Sequence, residues 1–223
     1  APHNLHSFPT RRSSDLPTSI QPLQQPAIGL TLASPYSTAL IGTLTLTTES
    51  DTGLGDPSVQ FSTGSRVVNF TIPAGATKAV FPSGSNQIKF QTGSVAGTIL
   101  FTPAFGTEGG LDLTPDNPLT LRSVLPAAAP QLAGAAVDNR TATGFTLSLV
   151  GSTTTRSLTK AKFSFKGKSG FNFTETEFEI DLTAASLVWF NSPDSTQFGG
   201  QFVMQVPFNL RSRHTSNDAT API

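Results

Sequence analysis

Along almost the whole chain, apolar residues return at every second position, with Thr, Ser, Asn or Gln between them. Successive side chains of an extended strand point to opposite faces, so a period of two marks a strand with one buried face. No stretch of a dozen residues keeps the i, i+3, i+4, i+7 spacing of a surface helix, and helix content is expected to be near zero. The first half holds eight short candidate strands, at 28–32, 40–46, 59–61, 68–72, 80–81, 88–90, 95–101 and 119–121. A second set of seven follows at 132–137, 144–149, 161–165, 171–173, 178–180, 187–190 and 201–208. Turn chemistry separates them: Ser34-Pro35, Gly53 to Pro57, Gly64-Ser65, Pro73-Ala74-Gly75, Pro82-Ser83-Gly84 and Gly109-Gly110. Strands recurring about every 8 to 12 residues predict an all-β sandwich or barrel.

The run Pro126-Ala127-Ala128-Ala129-Pro130 offers no side chain able to build a core, and its prolines fix an extended backbone without ladder donors. It reads as a linker at 126–130 between a first domain at 17–125 and a second at 131–210. In the second domain Lys160, Lys162 and Lys166 fall opposite Phe163 and Phe165, while Glu177, Glu179 and Asp181 fall opposite Phe178 and Ile180. Antiparallel pairing of these two strands would set opposite charges across from one another, fixing register and guarding an edge.

Three resemblances refine this reading. The stretch Val68-Asn69-Phe70-Thr71-Ile72-Pro73-Ala74-Gly75-Ala76-Thr77-Lys78-Ala79-Val80-Phe81 resembles the strand-turn-strand core of Calx-beta-like and other bacterial immunoglobulin-like surface repeats. Val137 to Leu147 is similar to the first strands of fibronectin-type or immunoglobulin-like modules of secreted bacterial proteins. The resemblance implies two tandem immunoglobulin-like antiparallel β-sandwich domains, an extracellular or cell-surface location, and a structural or adhesive role as a spacer or interaction repeat. Expected partners are neighbouring β-sandwich repeats, with a surface protein or a glycan as further binding partners; a glycan- or protein-binding accessory module of a larger secreted enzyme is the alternative. Residues 7–16 resemble one reading frame of a short-read sequencing adapter, and Arg211 to Ser216 resemble a degraded reading of the opposite one. Residues 1–16 and 211–223 are therefore expected to be non-native tails on a translated fragment of a longer protein.

Setting the tails aside changes the chemistry. All three histidines, His3, His6 and His214, lie in them, and the chain has no cysteine, so 17–210 has neither residue. Serine or cysteine nucleophiles activated by histidine, and zinc or copper sites, lose their usual components, and no enzyme activity is expected. Ten basic and twelve acidic residues remain, too balanced a set to attract nucleic acid or a membrane surface. No apolar run approaches the roughly 18 residues that span a bilayer. Charged residues make up 13% of the chain against about 25% in ordinary soluble domains, a pattern suited to exported β proteins.

Calcium-binding Calx-beta modules carry clustered acidic ligands. Here Glu49, Asp51 and Asp56 near one loop are the candidate calcium ligands, with Asp112 and Asp116 in another; no cofactor is expected. Glu175, Glu177, Glu179 and Asp181 form the densest acidic group, but alternation places three of them on one strand face as solvated charges rather than as a glycosidase pair. Trp189 is expected in the core, and the Asn-x-Thr sequons at Asn69, Asn139 and Asn172 are expected to be incidental.

Overall fold

A computed structural model describes residues 16–167, 169 and 175–210. The fold is mostly β, and all its named sheets are antiparallel. In the first part, β1 (Ala27–Ile28) pairs with β4 (Ile88–Lys89). A four-stranded sheet has the order β3 (Val67–Ile72), β2 (Leu40–Ser50), β5 (Gly97–Thr107), β6 (Leu121–Leu125).

Alternation in these strands becomes burial. Leu44 and Leu46 of β2, Val68, Phe70 and Ile72 of β3, and Ile99 and Phe101 of β5 point inward. Against them packs a second layer built by β1, β4 and the bridging segments around Phe61 and Phe81, and Phe61, Phe90 and Phe101 are fully enclosed. The rings of Phe90 and Phe101 meet edge-on at 4.7 Å between centroids, the arrangement that aromatic quadrupoles favour. Candidate strands 59–61 and 80–81 reduce to single bridges, Phe61 with Phe90 and Val80 with Thr71.

In the second part, β7 (Gln131–Thr141), β8 (Gly144–Ser152) and β11 (Gln201–Asn209) form a sheet in the order β11-β8-β7. The hairpin β9 (Lys160–Ser164) with β10 (Glu177–Asp181) packs over it. Leu149, Phe163 and Val206 form the small buried centre, with Phe165, Phe178 and Phe208 around it. This core is separate from the first. The candidate strand 171–173 lies outside the described residues, as do 1–15 and 211–223.

The charge pattern pairs as the alternation predicts. Glu179 stands opposite Lys162 and Asp181 opposite Lys160, and the ion pairs run diagonally, Lys160 to Glu179 at 2.5 Å and Lys162 to Glu177 at 2.8 Å. All four side chains are more than half exposed, so each pair contributes little. Lys162→Glu, which places like charges across the hairpin, is expected to cost about 0.5–1 kcal/mol at low ionic strength and less in molar salt. Urea unfolding at two salt concentrations measures this.

One element corrects the sequence reading. Residues 187–190 belong to α1 (Thr183–Phe190), followed by a 3₁₀ turn (Pro193–Phe198). A four-residue apolar run does not distinguish a strand from a short helix by period alone. The Leu182 and Ser186 positions bury one side of the helix, and the Ser192 side chain accepts from the Ser195 N–H to open the following turn.

Candidate functional site

The acidic candidates are dispersed. Glu49 is exposed on β2 and Asp51 is exposed in the turn that follows, whereas Asp56 is 3% exposed. Its carboxylate is fully occupied by protein donors. Oδ1 accepts from the Ser58 N–H at 2.9 Å and from the Ser58 hydroxyl at 2.6 Å; Oδ2 accepts from the Ser94 N–H at 2.6 Å and from the Ser94 hydroxyl at 2.8 Å. Among the described residues, no group of three His, Cys, Asp or Glu is placed to hold a metal ion. Asp112 closes a surface turn by accepting from the Thr114 N–H at 2.8 Å. Glu177 and Glu179 are engaged with lysines on the solvent face of their hairpin.

Asp56 instead sits at the join between the two parts of the chain. The Ser94 hydroxyl that donates to its carboxylate accepts in turn from the Gly200 N–H at 2.9 Å. Beside this relay the Thr153 N–H donates to the Gly200 carbonyl at 2.9 Å, and the Ala96 N–H donates to the Thr154 carbonyl at 2.8 Å. The Thr154 hydroxyl reaches the segment 126–130, donating to the Ala128 carbonyl at 3.2 Å and accepting from the Ala128 N–H at 2.7 Å. A side-chain bond thus fastens Ser94 to Gly200 and a backbone bond fastens Ala96 to Thr154.

The same join contains Arg156, a residue with no distinguishing sequence motif. It is 7% exposed and lies at φ 51°, the left-handed region that a side-chain-bearing residue adopts only when its surroundings hold it there. Its guanidinium donates to the carbonyls of Gly199 and of Phe190, the latter at 2.6 Å, and to the Ser195 hydroxyl at 2.9 Å; it also lies 5.3 Å from the centre of the Phe190 ring. Burial lowers the Arg156 pKa, and the negative Asp56 carboxylate acts in the opposite sense. The arginine stays charged at neutral pH. For Asp56, burial raises the pKa, but the bonds from Ser58 and Ser94 outweigh it and hold the carboxylate below its ordinary value.

Glycine is required where these groups meet. Gly199, at φ 60°, passes so close to Asp56 that an added Cβ would collide with the carboxylate. Among the described residues no buried side-chain nitrogen or oxygen lacks a hydrogen-bond partner, so the polar groups of the knot are satisfied by one another.

A second feature lies on the surface. A cleft of about 240 Å³ opens between α1 and β11, lined by Leu182, Ala185, Trp189, Phe202, Val203 and Met204 among others. Trp189 is half-buried at its margin rather than in the core; its indole N–H donates to the Gln201 carbonyl at 3.1 Å, and its ring stacks on Phe198. Leu187, Val188, Phe198 and Val203 stand 64%, 74%, 45% and 69% exposed. Tyr36 packs against the first core, far in sequence from Trp189. Asn69 is exposed on β3, Asn139 is exposed on β7 at φ 48°, and Asn172 lies outside the described residues. No helix among the described residues is long and apolar enough to cross a membrane.

Comparison with protein-family models finds no family that matches the chain, and comparison with curated proteins finds none that matches it.

Proposed function

We propose that the chain is a non-catalytic structural module: two tandem immunoglobulin-like sandwiches that act as a spacer or adhesive repeat of an extracytoplasmic protein. The observation that carries this reading is the buried join. A flexible tether would need only the five residues 126–130. Here the Gly200 N–H donates to the Ser94 hydroxyl that Asp56 holds, the Ala96 N–H donates to the Thr154 carbonyl, and even the connecting segment is pinned at Ala128. Stiffness between consecutive units is what a spacer requires, because an array of freely jointed units collapses as a random coil.

The polar Thr/Ser-rich surface, the sparse charge and the lack of cysteine and histidine across 17–210 support the same reading. Pulling the chain from its two ends tests it. A load-bearing spacer gives one main rupture in which both parts yield together, because neither keeps its join once the other opens. Two well-separated ruptures, each at the force of an independent small sandwich, would refute it.

The surface between α1 and β11 favours a second reading, an interaction module for a protein or glycan. Monomer surfaces seldom present clustered large apolar side chains without a use, and Leu187, Val188 and Val203 are all mostly exposed. Trp189 is the chain's single tryptophan, so its emission reports occupancy of the cleft directly. A shift of that emission on titration with an extracellular protein or oligosaccharide, lost in Val203→Ser, is the expected result. Unchanged emission across a broad panel counts against this reading.

A further inference from the structure

We propose that β7 is a pairing edge through which two copies of this chain join their β11-β8-β7 sheets into one continuous sheet. The strand is eleven residues long, and all eleven are exposed, including Leu132 at 63% and Val137 at 40%. Among the described residues it bonds to β8 on one side only, so its other side presents backbone N–H and C=O groups along roughly 35 Å.

The other long edges of the described residues are guarded. Thr18 to Ile20 lie along β6, with the Ile20 N–H donating to the Val124 carbonyl at 2.9 Å and the Val124 N–H to the Thr18 carbonyl at 2.9 Å. Val80 bridges to β3 at Thr71. The hairpin β9-β10 is lined with Lys160, Lys162, Glu177 and Glu179. On β11, Trp189 occupies the Gln201 carbonyl and Pro207 removes a donor. β7 has no lysine and no proline, its charges Asp138 and Arg140 lie toward its C-terminal end, and among the described residues no segment covers it.

The partner follows from this contrast. The matching unpaired ladder is another β7, and one two-fold contact satisfies both edges at once. Register shifts at Leu132/Gly134 and Asp138/Thr141 leave Gly134 to Asp138 as the regular stretch. An antiparallel self-pair centred on Ala136 sets Gly134 opposite Asp138 and Ala135 opposite Val137, so no like charges face each other and the small side chains allow close approach. A ladder this short makes a weak contact, suited to copies held side by side at high local concentration. The pairing does not depend on the spacer reading.

Sedimentation velocity of the chain over rising concentration tests it. Wild type is expected to pass from monomer to dimer. Ala136→Lys, an exposed change that places two lysines on the symmetry axis, is expected to weaken the dimer at least tenfold, and so is Ala136→Glu. An equimolar mixture of the two variants is expected to recover association. A wild type that stays monomeric throughout, variants that associate like wild type, or a mixture that fails to recover would each overturn the proposal; far-UV circular dichroism confirms that the variants remain folded.

Discussion

Asp56→Ala is expected to lower stability by about 3–4 kcal/mol, the largest effect of any single change considered for this chain. The carboxylate accepts four bonds, two from each of Ser58 and Ser94, and alanine leaves those donors facing an apolar gap. The loss spreads, because the Ser94 hydroxyl is oriented by Asp56 toward the Gly200 N–H of the second part. Guanidinium unfolding followed by Trp189 emission, which reports on the second part, should therefore register a substitution made in the first.

The pH dependence has a definite sign. The folded-state pKa of Asp56 lies below the ordinary value of 3.8, so its contribution is complete at neutral pH. It is lost as pH falls below about 4 through the folded-state pKa, because only the unfolded chain binds the proton readily at first. Asp112 and Asp181, whose pKa values are lowered by bonds from Thr114 and Thr183, act in the same direction. Asp56→Asn is expected to be less stable at neutral pH and to lose less stability on acidification. An acid profile as steep as that of wild type would assign the acid sensitivity to the exposed carboxylates.

Arg156→Met is expected to cost about 2–4 kcal/mol despite similar length and apolar character. The guanidinium satisfies the Gly199 and Phe190 carbonyls and the Ser195 hydroxyl together, and methionine offers none of the donors. Some cost is returned, since the charge no longer has to be buried. Arg156→Gly separates backbone from side chain: glycine accepts the φ of 51° without strain but still loses every donor. If Arg156→Gly proves as stable as wild type, the guanidinium bonds contribute nothing net. Combined with Asp56→Ala, Arg156→Met is expected to cost less than the two single losses together, because both groups meet at Gly199.

Strand positions could be read from the sequence because a half-buried strand writes its burial into alternate residues, as 68–72 and 97–101 show. The pairing of Lys160 and Lys162 with Glu177 and Glu179 followed from the same alternation. The helix at Thr183–Phe190 escaped because eight residues hold barely two turns, and Leu187 and Val188 face outward instead of marking a buried stripe. The join was hidden for a different reason. Asp56 and Ser94 are 38 residues apart, Ser94 and Gly200 are 106 apart, and no local pattern reports such a meeting. Asp56-Pro57-Ser58 does carry a local signal, an aspartate closing a turn onto the N–H two residues on. That motif would have weakened the calcium reading without revealing burial. Arg156 lies in a Thr-rich turn, where an arginine ordinarily reads as solvated.

Because the chain has no cysteine, two can be introduced as unique label sites. Spin labels at Ser62→Cys in the first part and Thr155→Cys in the second, measured by pulsed dipolar spectroscopy, report directly on whether the parts are fixed to each other. A single narrow distance distribution, broadened when Asp56→Ala or Arg156→Met is added, is the expected result. A broad distribution in the otherwise unaltered chain would contradict a rigid join and with it the spacer reading.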